Sequence, residues 1–184
     1  MSKFFGHLKT VLRHKYVVFC HSVKLGIPFR GLVHDMTKFS PSEFALGVRY
    51  YTNGKKSPNE AEREDNGYST AWMHHKGRNK HHFEYWTDYS SIEKKIVPIK
   101  MEYTYVLEMF CDRVAASKVY QGKNYTDNHP IEYFLRGKDR RSIHPATSDE
   151  LEKMLTMLSE KGERFTFSYI KKNRKTAESE YMKK

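Results

Sequence analysis

Apolar residues in this chain return at three- and four-residue steps over most of its length, and nowhere do they alternate with polar ones for long enough to argue a sheet. A period near 3.6 puts such residues on one side of a helix, so the chain is constrained to bury helix against helix. From Lys3 to Leu25 the stripe is Phe4, Phe5, Leu8, Val11, Leu12, Val18 and Phe19. Gly26-Ile27-Pro28 then ends one helix and starts another, because glycine tolerates a left-handed terminal turn and proline fits a first helical position. A short helix is expected over Arg30 to Met36. Ser40-Pro41-Ser42-Glu43 reads as a capping box opening a helix to about Tyr51. The polar stretch from Thr52 to Gly67, with Asn53-Gly54 and Ser57-Pro58, reads as a surface excursion.

Helices are expected over Tyr68 to His75 and over Asn79 to Tyr89. The longest pattern runs from Ser91 to Tyr120, with Ile92, Ile96, Ile99, Tyr103, Val106, Leu107, Phe110, Val114 and Val119 inward and Pro98 absorbed in an early turn. Beyond Gly122 the periodicity weakens until Ser148-Asp149-Glu150-Leu151 opens a helix to about Lys161. Phe165, Phe167 and Tyr169 alternate with polar neighbours, which suggests a short extended segment, and the polar stretch from Lys171 to Lys184 is expected to fray. The fold class is all-α: a helical bundle over 1–122, with a C-terminal extension over 123–184 packed on it and a basic tail from about 171.

A chain of 184 residues encloses one core comfortably. Its 13 Tyr and 11 Phe exclude a disordered chain, so the mean hydropathy of -0.81 describes a heavily charged surface on a folded body. A formal charge of +11 suits anionic partners such as phosphorylated substrates. Two cysteines, Cys20 and Cys111, imply no disulfide framework. With no run of about 18 apolar residues, no membrane segment and a cytoplasmic setting are expected.

Against that helical background stand His14, His34-Asp35, His75, His81-His82 and Asp112. Imidazole with carboxylate binds transition metals such as Fe, Mn, Ni, Co or Zn, whereas an oxygen-only set would point to Mg or Ca. On a helix, His34 and Asp35 diverge by about 100°. His14 and Asp112 must then arrive from other helices, as in sites built inside helix bundles. His74 and His75 compete for one place, with His75 favoured because it ends its helix nearer the break at Lys76-Gly77-Arg78.

With those residues in view, the chain resembles the HD superfamily of metal-dependent phosphohydrolases over roughly residues 8 to 118. The likeness rests on the lone His14, the doublet His34-Asp35 with Lys38 after it, the later histidines, and Asp112 followed closely by Ala115-Ala116. It is similar, more narrowly, to small HD-domain proteins of the DUF5662 kind. The resemblance implies His14, His34, Asp35 and Asp112 as a minimal ligand set. His75, His81 and His82 look like the extra ligands of two-metal members such as the HD-GYP phosphodiesterases, where Asp35 would bridge the ions. Phe83-Glu84-Tyr85-Trp86 stands where a Gly-Tyr-Pro motif would follow, so cyclic dinucleotide specificity does not carry over.

The activity implied is hydrolysis of a phosphomonoester or phosphodiester in a nucleotide-like molecule by a metal-activated water. Asp35 and Lys38 would be catalytic, with Lys38, Arg78, Lys76 and Arg113 as candidate phosphate contacts. The same scaffold also carries di-iron oxygenases. A basic nucleic-acid-binding module, stacking bases on Trp72, Tyr85 or Trp86, is a rival from another class, and a purely structural metal is a fourth reading. The aromatic content would also permit a homodimer face.

Overall fold

A computed structural model describes residues 2–183. Among the described residues eight α-helices and one small hairpin follow in order: α1 Lys3–Leu25, α2 Pro28–Val33, α3 Pro41–Arg49, α4 Pro58–Asn66, α5 Thr70–Lys76, β1 Thr87–Ser90, β2 Lys95–Pro98, α6 Tyr103–Gln121, α7 His129–Leu135 and α8 Pro145–Lys183. The all-α expectation holds. Among the described residues no helix is long and apolar enough to cross a membrane.

α6 is the axis of the molecule. Val106, Leu107, Met109, Phe110, Cys111, Val114 and Ala115 are all buried, and the polar residues of its middle are Glu108, Asp112 and Arg113. α1, α7 and α8 pack around it, and one core runs from Val18 through Phe110 and Leu155 to Tyr181. Within that apolar run Glu108 is only 1% exposed. A carboxylate buried so completely requires partners, because desolvating an unpaired charge is prohibitive.

Several expectations need correction. The His34-Asp35 doublet lies past the end of α2: His34 caps it and Asp35 takes φ 55°, ψ 27°, so the pair occupies a turn ahead of a 3₁₀ segment over Met36–Phe39. The helix predicted over Asn79 to Tyr89 does not form. Asn79 instead donates to the His75 carbonyl at 2.8 Å at the end of α5, and a tight turn follows with a 3₁₀ segment over Phe83–Tyr85.

α6 begins at Tyr103, not Ser91, because the preceding residues pair as an antiparallel hairpin in the register Thr87 with Pro98 and Ser90 with Lys95. Ile92, Ile96 and Ile99, expected inward, are 92%, 63% and 42% exposed. Their spacing imitates a helical stripe, but β-branched residues favour the pleated surface and Pro98 suits an edge strand.

Phe165, Phe167 and Tyr169 are helical and lie in the second of two helical stretches that α8 joins across a kink at Gly162 (φ 77°, ψ 166°), a conformation reserved for glycine. The tail expected to fray stays helical and packs. Tyr181 is 1% exposed. Its hydroxyl donates to the Met101 carbonyl at 2.7 Å and meets Thr147 Oγ1 at 2.9 Å. Within the excursion over 52–67, α4 places Glu62 as acceptor for Ser69 and Thr70, and Ser69 in turn caps α5 by accepting from the Trp72 amide.

Candidate metal centre

All seven predicted ligands converge where α1, the α2–α3 turn, α5, the segment after it and α6 meet. On one side His14 Nε2 lies 3.0 Å from Asp112 Oδ1, 3.4 Å from His34 Nε2 and 3.9 Å from Asp35 Oδ2. His34 Nε2 is 3.5 Å from Asp35 Oδ2 and 3.7 Å from Asp112 Oδ1. On the other side Asp35 Oδ1 lies 3.2 Å from His75 Nε2 and 3.3 Å from His81 Nε2. His82 joins that second group, whose ligand atoms all lie within 4.8 Å of one another. The two carboxylate oxygens of Asp35 therefore face different clusters.

The left-handed backbone at Asp35 makes this double aim attainable. Asp tolerates that conformation better than most residues, and the turn, unlike a helix, lets both side chains of the doublet point into the same space. Lys15 holds the turn by donating to the Leu32 and His34 carbonyls at 2.7 and 2.6 Å.

Two glutamates orient the imidazoles: Glu108, which the sequence did not single out, and Glu43, which it assigned to a helix cap. Glu108 Oε1 accepts from His34 Nδ1 at 3.0 Å and lies 3.2 Å from His81 Nδ1. Its other oxygen accepts from Arg30 Nε at 2.8 Å, and that guanidinium stacks 4.4 Å from the Tyr105 ring centre. Glu43 accepts from His75 Nδ1 at 2.8 Å and from His74 Nδ1 at 2.7 Å. It is therefore not the capping partner expected of Ser40-Pro41-Ser42-Glu43, and Ser40 makes no side-chain cap bond either. His74 is turned to Glu43 while His75 faces Asp35, which separates the two residues that the sequence left in competition.

A carboxylate on Nδ1 fixes the tautomer that leaves the Nε2 lone pair free for a metal. The atoms on the inner side fit such an ion. Asp35 Oδ1, His81 Nε2 and His82 Nε2 are buried without a hydrogen-bond partner, though all belong to one ligand group. Unpaired acceptors converging away from water are what a cation would resolve. Ligands about 2.1 Å from a common ion stand about 3–4 Å apart, as the distances above do.

Burial works against charge throughout the centre, and pairing overrides it at most positions. For Asp35 and Asp112 the neighbouring imidazoles hold the carboxyl well below the usual range despite burial. Glu108 falls to about 2 through His34 and His81. His34, despite its burial, is pushed up to about 10 by Asp35, Asp112 and Glu108. His82 is held well below its ordinary value by burial and by the neighbouring His81 and His75.

Lys38 Nζ stands 3.7 Å from Asp35 Oδ2. His14, Asp112 and Lys38 side chains are 13%, 18% and 26% exposed whereas His34 and His75 are at most 1%, so the centre opens to solvent on the His14, Asp112 and Lys38 side. The other predicted phosphate contacts are not gathered there. Arg78 is exposed and donates to the His74 carbonyl at 3.2 Å, and Arg113 lies 5.8 Å from the Phe134 ring centre. Neither these two nor Lys76 pairs with a residue of the centre among the described residues.

Fold and centre together define an all-α protein with buried His, Asp and Glu clusters able to hold metal. Within that class the chain belongs to DUF5662, a family of unknown function, whose model matches residues 3–157. No curated protein and no solved structure matches the chain.

Proposed function

We propose that the protein is an HD-type metal-dependent phosphohydrolase holding two transition-metal ions and cleaving a phosphomonoester or phosphodiester of a nucleotide-like substrate. The observation that carries this reading is Asp35, whose two oxygens face separate ligand groups beside the ammonium of Lys38. His14, His34, Asp35 and Asp112 would hold one ion, and Asp35, His75, His81 and His82 the other. A bound ion pair supplies Lewis acidity toward phosphate oxygens and lowers the pKa of water so that a nucleophile exists near neutral pH.

The chain's own residues do the remainder. Lys38, at the open side, would pair with a non-bridging phosphate oxygen and offset charge as water adds to phosphorus and the ester P–O bond breaks. Water addition leaves a proton to be removed, and the departing alkoxide takes one up. Glu43 and Glu108 keep the imidazoles from rotating during this exchange. α1 and α6, which carry His14 and Asp112, also line a cavity of about 350 Å³ through Thr10, Arg13, Val119 and Tyr120, with Tyr51 opposite. Arg13 and the two tyrosines there suit the remainder of a phosphorylated, ring-bearing substrate.

The test is phosphate release from nucleoside monophosphates, and ring opening of cyclic phosphodiesters to their monoesters, by chelator-stripped protein reloaded with Mn²⁺, Fe²⁺ or Co²⁺. Turnover that requires metal, vanishes in Asp35→Asn and falls about 10- to 100-fold in kcat/KM in Lys38→Ala supports the reading. Metal-loaded protein inert on all such esters overturns it. The five-imidazole ligand set also admits iron, as in a di-iron oxygenase, and consumption of O₂ by the Fe²⁺-loaded protein without ester cleavage is the outcome that would select that chemistry.

A further inference from the structure

The two halves of the centre share more than Asp35. Glu108 Oε1 lies 3.0 Å from His34 Nδ1 and 3.2 Å from His81 Nδ1, so one carboxylate oxygen meets a ligand of each group. The two imidazoles sit close, with ring centroids 4.3 Å apart. Glu43, by contrast, touches His74 and His75 and no residue of the first group.

The three groups His34, His81 and Glu108 could themselves hold an ion, but the geometry speaks for orientation. Both imidazoles turn Nδ1 to Glu108 and Nε2 toward Asp35, and Arg30 Nε occupies the far oxygen of Glu108 at 2.8 Å. A guanidinium on that carboxylate repels a further cation there.

We propose that Glu108 is a shared positioning residue that couples the two metal half-sites, so that occupancy of one depends on the same carboxylate as occupancy of the other. This rests on the two-metal reading of the centre. With Oε2 clamped by Arg30, Oε1 has one orientation, and it holds both imidazoles with Nδ1 protonated and Nε2 free. Ordering His34 for the first ion therefore orders His81 for the second. Glu43 serves the second half-site alone.

Glu108→Gln inverts this arrangement. Arg30 retains its acceptor only if the amide oxygen faces it, which turns the amide NH₂ toward both Nδ1 atoms. Each imidazole then favours the tautomer with its proton on Nε2, where the metal must bind. Glu43→Gln has no such reach into the first group.

The experiment is calorimetric titration of the chelator-stripped full chain with Co²⁺ and Zn²⁺. Alongside it, ¹⁵N spectra of the Zn²⁺-loaded protein read the tautomers of His34 and His81. Wild-type protein is expected to take two equivalents, with both Nδ1 protonated. Glu108→Gln is expected to weaken both equivalents by about 10- to 100-fold and move the nitrogen signals of both histidines, whereas Glu43→Gln weakens one.

If Glu108→Gln does not fold, as judged by circular dichroism, Arg30→Met is read instead, and a smaller loss shared by both equivalents is expected. Wild-type uptake of two ions with Glu108→Gln unchanged, or with only one equivalent weakened, overturns the coupling alone. Unequal losses in Arg30→Met do the same. Wild-type protein that binds no metal overturns the centre itself and the coupling with it.

Discussion

Asp35 shows how much of the centre depends on one backbone conformation. At φ 55° it is one of only three non-glycine residues with positive φ among those described, with Asn53 and Lys94. Asparagine shares its tolerance of that region but carries a neutral amide. Asp35→Asn should therefore leave the turn intact while removing the charge that both ligand groups share, and elemental analysis is expected to fall from about two metals per chain to one or none. The neighbouring pair His74 and His75 offers a sharper comparison. His74→Ala should leave metal content unchanged, because the His74 imidazole bonds to Glu43 and belongs to neither ligand group, whereas His75→Ala should cost about one equivalent; the reverse pattern would contradict the distances given above.

The residues that converge on the candidate centre were legible because imidazoles recur in the sequence around a His-Asp doublet. Glu43 was not, since a serine three positions before a glutamate is also the signature of a helix cap. Glu108 did leave a signal that could have been read: a carboxylate one turn before Asp112 on the most apolar helix pattern in the chain.

At the scale of elements, the stripes on α1 and α6 were readable from spacing alone, while the hairpin was not. Ile92, Ile96 and Ile99 fall at helical intervals, and only the burial of other surfaces by the rest of the chain decides that they remain outside. α8 was misread for the opposite reason. The helix expected to end near Lys161 does stop at the break at Gly162, but a second helix follows it directly, where a short alternation imitated a strand.

Gly162 is a specific point of sensitivity. Alanine cannot adopt φ 77°, ψ 166° without strain, so Gly162→Ala is expected to cost on the order of 1–3 kcal/mol and to lower Tm by several degrees in a thermal melt. Tyr181→Ala should cost about 3 kcal/mol, since it empties a buried aromatic site and leaves Thr147 and the Met101 carbonyl short of a partner. An unchanged melt for Tyr181→Ala would mean that the end of α8 does not seal the core.

For the whole molecule, pH acts through histidines remote from the metal ligands. Burial, joined by the charge of Lys38 for His7 and of Lys118 for His21, lowers both to about 4 from 6.5. Between those values the unfolded chain takes up protons that the folded chain refuses, so stability must fall as pH drops from about 6.5 to 4. The loss is on the order of 2 kcal/mol for each. Glu163, which burial would raise but which Lys118 and Lys24 hold at about 2, adds a further loss below 4.5. Denaturant midpoints measured from pH 8 to 4 should decline across the first window, and the decline should shrink in His21→Phe. A flat profile would place these histidines in contact with water.

The burial of the apolar residues of α6 also bears on how the protein is made. Its covering comes from α1, synthesised earlier, and from α7 and α8, synthesised later, with Tyr181 closing over Met101 from eighty positions downstream. A chain emerging from the ribosome must therefore leave the apolar residues of α6 partly uncovered until nearly all of α8 has cleared the exit tunnel. During that interval it is a client for chaperones and a partner for other unfinished copies of itself.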